Sequence, residues 1–435
     1  MAETGQTFFP GRDFYSIIFQ FKEFILVHGK KCMLCSRNYI LKTGERLMKK
    51  AALLLASVVL FLLAIPVLAC AAGETADAGI AGIRLVQQYN FSIHILVMLL
   101  AGFGFIYVFI RNYGYGATTA TYVVTAIGIP LYMFLRATGK ISAEPVSAST
   151  IKSLILGEFA VASALIAMGA ILGRIRLHQY AIFALVFIPA YMINEWLVLD
   201  GGLGVTKGFV DTAGSVVLHM FGAYFGLGLS VMLTNEKHRN EPVVCDATSD
   251  RFSMLGSILL WIFWPSFCCA LVSMDQFAQT AINTIFALCG STLVTFVLSA
   301  ALRRGKVAIG DIANAALAGG VSIGATCNVV TGPQALLIGA LAGAICTVGF
   351  VIVQPMLLKR FKILDSAGVH NLHGMPGMFG GLAAVVAIPV AAKAELIGIV
   401  VSFILAWLAG IICGLIVRAT GHKKVLYMDS EDFVI

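Results

Sequence analysis

After residue 71 the sequence consists of long apolar runs separated by short segments that carry most of its charges. Only 12% of all residues are charged, against about 25% in typical soluble domains. So few charges cannot cover the surface of a soluble enzyme, and about 20 consecutive apolar residues are enough to cross a bilayer as a helix. The sequence therefore excludes a soluble globular enzyme, a disordered chain and a coiled coil.

The length that follows residue 71 accommodates about eleven spanning helices. We therefore predict an all-α polytopic membrane protein. Pro and Gly interrupt several of the runs, which membrane helices tolerate. The predicted spans are 86–110, 116–136, 151–173, 179–199, 211–233, 252–273, 277–302, 309–330, 335–357, 368–390 and 394–418.

The first apolar run has the arrangement of a secretory signal peptide. Residues 48–50 read Met-Lys-Lys, residues 51–68 are apolar and residues 69–73 are small. Because signal peptides begin at the N-terminus, we expect translation to start at Met48; an uncleaved first span and an ordered N-terminal segment are the alternatives. The predicted organisation is an N-terminal extension over 1–47, a signal peptide over 48–71, a membrane domain over 72–420 and a tail over 421–435.

The net charge of +8 is distributed unequally between the two sides of the predicted spans. Cytoplasmic loops of membrane proteins carry an excess of Lys and Arg, so the side with more of them is predicted to be cytoplasmic. An odd number of spans then leaves the mature N-terminus outside and the C-terminus in the cytoplasm, and no nucleic-acid partner is indicated. The richer side holds Arg111, Arg174, Arg176, Lys237, Arg239, Arg251, Arg303, Arg304, Lys306, Lys359, Arg360, Lys362, Arg418, Lys423 and Lys424, and the other side holds Arg84, Arg136, Lys140, Lys152, Lys207 and Lys393.

One nine-residue pattern, D-[ST]-A-G-x-x-x-L-H, occurs twice. Asp211 to His219 opens the fifth predicted span, and Asp365 to His373 opens the tenth. Because five spans separate the copies, they enter the bilayer from opposite faces, which is typical of an inverted-topology repeat with a substrate path between its halves. We therefore predict a five-plus-five inverted repeat around a central pore that His219 and His373 line.

A matched pair of His within membrane spans predicts a function, because ionisable residues are costly there. A neutral imidazole offers one donor and one acceptor, so the two rings can hydrogen-bond to each other and still offer a site to a small polar molecule. Asp211 and Asp365 can cap their helices or contribute negative potential to a vestibule. An alternative is that the two His ligate haem in a membrane redox protein.

Several segments resemble the Rh branch of the Amt/Rh ammonium transporter family, in its bacterial type. The likeness runs from about residue 90 to residue 390 and includes the signatures of the fifth and tenth spans. The segments that carry it are His219-Met-Phe-Gly-Ala-Tyr-Phe-Gly-Leu227 after Asp211, Asn371-Leu-His373-Gly-Met-Pro376-Gly, Trp264-Pro-Ser-Phe267, Asn194-Glu195 and Gly102-Phe-Gly104.

This resemblance implies that residues 72–420 form a channel for ammonia and ammonium, not an enzyme, without cofactor or metal. It implies a homotrimer in the plasma (inner) membrane with one pore per subunit, lined by the two His. Phe159 and Phe267 match the two stacked Phe of the family's outer gate. Ammonium would be recruited outside, lose its proton near this gate and pass the His pair as ammonia.

Other residues have supporting roles in this scheme. Glu158, next to Phe159, is expected to attract ammonium to the outer vestibule, whereas Glu195 is expected to be structural. Asn371 and His370 are expected at the inner mouth, with His370 either a third titratable group or an interfacial residue. His370, Cys268, Thr212 and Ala213 depart from the Rh pattern.

Two further functions are open on the sequence alone. The same pore would admit another small neutral gas such as carbon dioxide. An ammonium sensor would normally need a signalling domain, and only 15 residues follow residue 420.

Overall fold

The computed structural model describes residues 76–141 and 146–435, in which every regular element is a helix. Nine of these helices are long and apolar enough to cross a membrane, and two of the shorter helices fall on the remaining predicted spans. The prediction of an all-α polytopic membrane protein is confirmed. The helices are α1 (Ala81–Phe109), α2 (Gly114–Ala137), α3 (Ile151–Gly169), α4 (Leu177–Leu199), α5 (Ser215–Leu233), α6 (Ala247–Cys269), α7 (Phe277–Leu302), α8 (Ile309–Ile323), α9 (Gly332–Phe361), α10 (His370–Gly374 continued by Met375–Ala387) and α11 (Pro389–Ala419).

The predicted extension over 1–47 and the predicted signal peptide over 48–71 lie outside the described residues. Both stay predictions.

Most helix ends differ from the predicted spans by a few residues, and at three of them turn residues and caps override the apolar pattern. α3 ends at Gly169, not at 173, and Gly173 takes a left-handed φ of +75°. α8 stops at Ile323, before a segment rich in Gly, Thr and Asn. α9 starts earlier than predicted because the Gln334 side chain accepts a hydrogen bond from the Thr331 N–H at 2.8 Å and Pro333 occupies the first turn.

Small residues let α7, α8 and α9 pack backbone against backbone. A Cβ added at Gly339 of α9 would lie 1.9 Å from the carbonyl oxygen of Ala287 in α7, and one added at Gly319 of α8 would lie 2.1 Å from the same oxygen. Such contacts are the usual basis of helix association in membranes, where burial of apolar side chains gives little advantage over lipid.

A buried ion pair joins α2 to α4. Arg136 Nη1 donates to Glu195 Oε2 at 2.8 Å, and the Tyr132 hydroxyl donates to the same oxygen at 2.6 Å. Charges within a membrane protein are tolerated when they are paired in this way. Glu195 therefore has the structural role expected of it, as the partner of Arg136.

The segment after α11 folds back onto the first turn of α2 and the loop before α4. The Asp429 carboxylate accepts hydrogen bonds from the backbone N–H groups of Tyr115 and Gly116 at 3.0 and 2.6 Å. The Tyr427 N–H donates to the carbonyl of Gly173 at 3.0 Å. Lys423 and Asp432 form an ion pair at 2.5 Å that closes the segment on itself.

Replacing Gly339 by Ala is expected to destabilise the protein, because the methyl group would overlap the Ala287 carbonyl. Overpacking of this kind costs about 1–3 kcal/mol. The midpoint of thermal unfolding in detergent should fall for Gly339→Ala. Gly82→Ala is the control, since nothing lies within 4 Å of its added Cβ. Equal midpoints for the two variants would contradict the packing described for α7 and α9.

Candidate functional site

The repeated motif forms the same local structure in both copies. Asp211 accepts hydrogen bonds from the N–H groups of residues 216 and 217 at 2.9 and 2.8 Å, and Asp365 accepts from residues 368 to 370 at 2.9 to 3.0 Å. The Gly of the motif is left-handed in both, with φ of +78° at Gly214 and +74° at Gly368, a conformation that favours Gly. Both Asp side chains are therefore helix caps, one of the two roles that the sequence left open.

Each copy then begins its helix with a π turn. These turns span Ser215–Met220 in α5 and His370–Gly374 in α10, and π turns are frequent at functional sites. In α5, neighbouring helices supply donors to the two carbonyls that precede His219. Asn194 Nδ2 donates to one at 3.1 Å, and Ser163 Oγ to the other at 2.7 Å. The backbone that carries His219 is thus fixed by α3 and α4.

His219 and His373 meet between the two halves of the chain, as the repeat predicts. Their Nδ1 atoms are 3.2 Å apart, and the ring planes are 9° from parallel with centroids 5.3 Å apart. Each residue is 4% exposed. If both rings are neutral, the ring that donates its Nδ1–H keeps a bare Nε2 acceptor, and the ring that accepts carries an Nε2–H. Nε2 of His219 has no partner among the described residues.

Aromatic side chains enclose the two imidazoles. The Trp264 ring stacks on His219 with centroids 5.6 Å apart, and the Phe103 ring stacks on His373 at 6.4 Å. We assigned neither aromatic residue to the pore from the sequence, although both lie in segments that carry the Rh resemblance. Their position next to the His pair depends on how α1 and α6 pack, which the sequence pattern does not show.

Phe159 of α3 and Phe267 of α6 stack on each other, as the resemblance implies. Their ring centroids are 4.2 Å apart and their planes are inclined by 22°. Both are nearly buried, and the Phe267 ring lies 6.2 Å from the ring of His219. The stack therefore adjoins the His pair on one side.

Four cavities follow one another along α1, and we name each after one residue. Their volumes are about 290, 20, 10 and 410 Å³. A cavity needs about 10–15 Å³ to hold one water molecule, so the two central cavities have room for one small molecule or none. The lining of the first cavity, the Lys152 mouth, includes Arg84, Gln88, Phe91, Lys152 and Cys269, and that of the second, the Phe267 lumen, includes Ile95, Leu99, Ala162, His219, Trp264, Phe267 and His373. The lining of the third, the Tyr107 lumen, includes Ile106, Tyr107, Asn314, Leu372 and His373. The lining of the fourth, the Asp250 mouth, includes Phe109, Cys245, Asp250, Asn314 and Gln354.

The order of the cavities is the same along two helices. From the Lys152 mouth to the Asp250 mouth, the residue numbers of the lining side chains increase along α1. Over the same course they decrease along α6, from Cys269 through Leu260 to Asp250. From Gln87 to Phe109, α1 rises about 33 Å, close to the thickness of the hydrocarbon core. The four cavities therefore mark one path across the molecule, and the Phe stack lies between the Lys152 mouth and the Phe267 lumen.

The two mouths differ in charge. Arg84 and Lys152 line the Lys152 mouth, where no carboxylate is among the lining residues that the structure describes. Asp250 lines the opposite mouth. Glu158, expected in the vestibule, is fully buried and accepts a hydrogen bond from Ser92 Oγ at 2.6 Å. The structure therefore places Glu158 behind the wall of the path and not at its mouth.

The residues predicted for the inner mouth stand beside the path. Asn371 Nδ2 donates to the Gln354 side chain at 3.1 Å, and Gln354 lines the Asp250 mouth. His370 packs edge-on against Tyr224, with centroids 5.6 Å apart. Neither Asn371 nor His370 is among the lining residues of the four cavities.

The geometry is unsuited to the haem alternative. The two His bond directly to each other, and the lumen beside them holds about 20 Å³, far less than a macrocycle needs. Among the described residues there is also no group of three or more His, Cys, Asp or Glu placed to hold a metal ion.

Comparisons with known proteins agree with this architecture. Residues 51–425 match the family model described as Ammonium Transporter Family. The chain is 34% identical to the ammonium transporter Rh type A of Bos taurus, over 72% of this chain and 74% of that protein. It is 38% identical to the Rh type B transporter of Sus scrofa, over 66% of this chain and 62% of that one. The chain thus spans between about three fifths and three quarters of these relatives.

A solved structure of Nitrosomonas europaea Rh50 is similar throughout its fold. It superposes with a TM-score of 0.80 at 54% sequence identity and covers 81% of this chain and 93% of its own. That protein belongs to the Rhesus family of channels. Members of the matching family are transporters and channels, in agreement with the prediction that this chain is not an enzyme. The chain is therefore a multi-pass membrane protein that belongs to the ammonium transporter family, in its Rh branch.

Proposed function

We propose that the protein conducts ammonia across the membrane and that ammonium is the species it exchanges with water at either end. The observation that carries this proposal is the His219–His373 pair, hydrogen-bonded at 3.2 Å beside an apolar lumen that has room for one small molecule. A one-molecule site with free imidazole nitrogen suits a small polar molecule that both donates and accepts hydrogen bonds.

The apolar lumen separates ammonium from ammonia by their cost of desolvation. Moving an ion of this size from water into a medium of low dielectric costs of the order of 20 kcal/mol in the idealised limit. A neutral polar molecule loses only a few kcal/mol of hydrogen bonding, and the free Nε2 of His219 restores part of that loss. The pore therefore passes the neutral form far more readily than the ion.

The charges at the mouths support proton loss at one end and proton gain at the other. Arg84 and Lys152 lie at the Lys152 mouth, and positive neighbours favour the neutral form of an amine. Asp250 lies at the opposite mouth, and a carboxylate favours the protonated form. Ammonium gives its proton to water at the Lys152 mouth, ammonia passes the Phe stack and the His pair, and the proton is regained beyond the Tyr107 lumen.

The same proposal includes the setting of the pore. The protein forms a homotrimer with one pore in each subunit, as the Rh resemblance implies, and lies in the plasma (inner) membrane. The distribution of Lys and Arg supports a cytoplasmic Asp250 mouth and C-terminus, because the basic loops of the chain are on that side. The Lys152 mouth then faces outward, and the mature N-terminus is outside after signal cleavage.

His219→Ala and His373→Ala are expected to slow ammonia passage by about tenfold each, the effect of losing about 1.4 kcal/mol of stabilisation at the site. The measurement is the initial rate of internal pH change when ammonium is added to proteoliposomes. His94→Ala is the matched control, because His94 bonds to Ser266 at 2.9 Å and lines none of the four cavities. Equal rates for the wild type and the two pore variants would refute a role of the His pair.

The double variant Phe159→Ala, Phe267→Ala is expected to let water into the path. Two rings stacked at 4.2 Å now separate the Lys152 mouth from the lumen, and their removal joins the two spaces. Osmotic shrinkage of proteoliposomes in stopped flow should accelerate for this variant and stay at the lipid rate for the wild type. Phe183→Ala is the control, since this buried Phe lies outside the path. Shrinkage at the lipid rate in the double variant would show that the stack does not hold water out.

A further inference from the structure

The Phe267 lumen and the Tyr107 lumen, the two smallest of the four cavities, share a wall that we call the septum. Three side chains, those of Phe103, Leu260 and His373, line both lumens and so separate them. The rings of Phe103 and His373 stack on each other, with centroids 6.4 Å apart. Leu260, 3% exposed, is the aliphatic member. Any molecule that crosses from one lumen to the other must pass this side chain.

The position of Leu260 is set by glycines that bring α6 against α1. A Cβ added at Gly256 of α6 would lie 2.2 Å from the backbone nitrogen of Ile106 in α1, so the two backbones touch. Ser253 Oγ, one turn earlier, donates to the carbonyl of Ile106 at 3.0 Å. These contacts fix α6 at the level of the septum.

The Leu260 side chain itself rests on the backbone of α1. A Cβ added at Gly102 would lie 2.7 Å from Leu260 Cδ2 and 2.8 Å from its Cγ. Only a glycine at position 102 leaves room for the isobutyl group of Leu260 in its present position against α1. Gly102 belongs to the π turn Met98–Phe103, which also places Phe103 on His373. Gly102 and Leu260 therefore pack directly on each other at the septum.

We propose that Leu260, seated on Gly102, determines how large an amine the pore conducts. The inference rests on the proposed conduction of ammonia. With lumens of about 20 and 10 Å³, the septum passes ammonia and retards an amine that carries a methyl group. One methylene that does not fit a tight apolar site changes selectivity by about 10–200-fold. Leu260 is therefore the residue that separates ammonia from small alkylamines.

The test compares ammonia with methylamine in proteoliposomes. The initial rate of internal pH change is measured for both at equal concentration of the neutral form, and the methylamine-to-ammonia ratio of rates is taken. Leu260→Ala should raise this ratio by about tenfold, the lower end of the effect of one methylene, and Leu260→Val should raise it less. Gly102→Ala should lower the ratio, because the added methyl group pushes Leu260 into the septum.

Leu229→Ala is the matched control, since Leu229 is fully buried in α5 and lines none of the four cavities. It should keep the wild-type ratio even if it lowers stability. A ratio in both Leu260 variants that equals the wild-type ratio, with ammonia flux intact, would overturn the inference and leave the proposed function standing. No ammonia flux above protein-free vesicles in the wild type would overturn the proposed function itself.

Discussion

The hydrogen bond between two buried imidazoles, 3.2 Å long, is the interaction around which the rest of the structure is arranged. Two rings can be held so close inside a membrane protein only if the backbones that carry them are fixed. The Asp caps and left-handed Gly of the two motif copies start both helices at defined points. The side chains of Asn194 and Ser163 then hold the π turn of α5. Small residues in α7, α8 and α9 allow the close packing of the surrounding helices.

Desolvation turns this geometry into selectivity. The path is wide at both mouths and nearly closed between them, so whatever crosses must give up its water. That cost is prohibitive for an ion and modest for a neutral amine. Positive side chains at the Lys152 mouth and a carboxylate at the Asp250 mouth act on the same equilibrium from opposite ends. In the proposed mechanism, transport thus depends on where the proton is lost and regained.

The sequence predicted the repeated elements of the site and missed those that depend on packing. Hydropathy located the spans, and the doubled motif identified His219 and His373 without any knowledge of their distance. The septum could not be found in this way, because Leu260 looks like any other apolar residue of a membrane helix, and the Gly102-Phe-Gly104 segment does not reveal which side chain packs on Gly102. The acid expected at the outer mouth was misplaced for a related reason: Glu158 lies on α3 at the level of the path, yet its side chain turns to Ser92. The position of a charged residue along its helix predicts how deep it lies in the membrane, whereas the direction of its side chain depends on the neighbouring helices.

The number of charges moved with each ammonia tests the central claim most directly. Current and internal pH change can be recorded on the same proteoliposomes under one ammonium gradient, with protein-free vesicles as the baseline. Passage of neutral ammonia predicts a rapid pH change without current above that baseline. A current that grows in proportion to the pH change would show that charge crosses the lumen with the substrate, and it would contradict conduction of the neutral form.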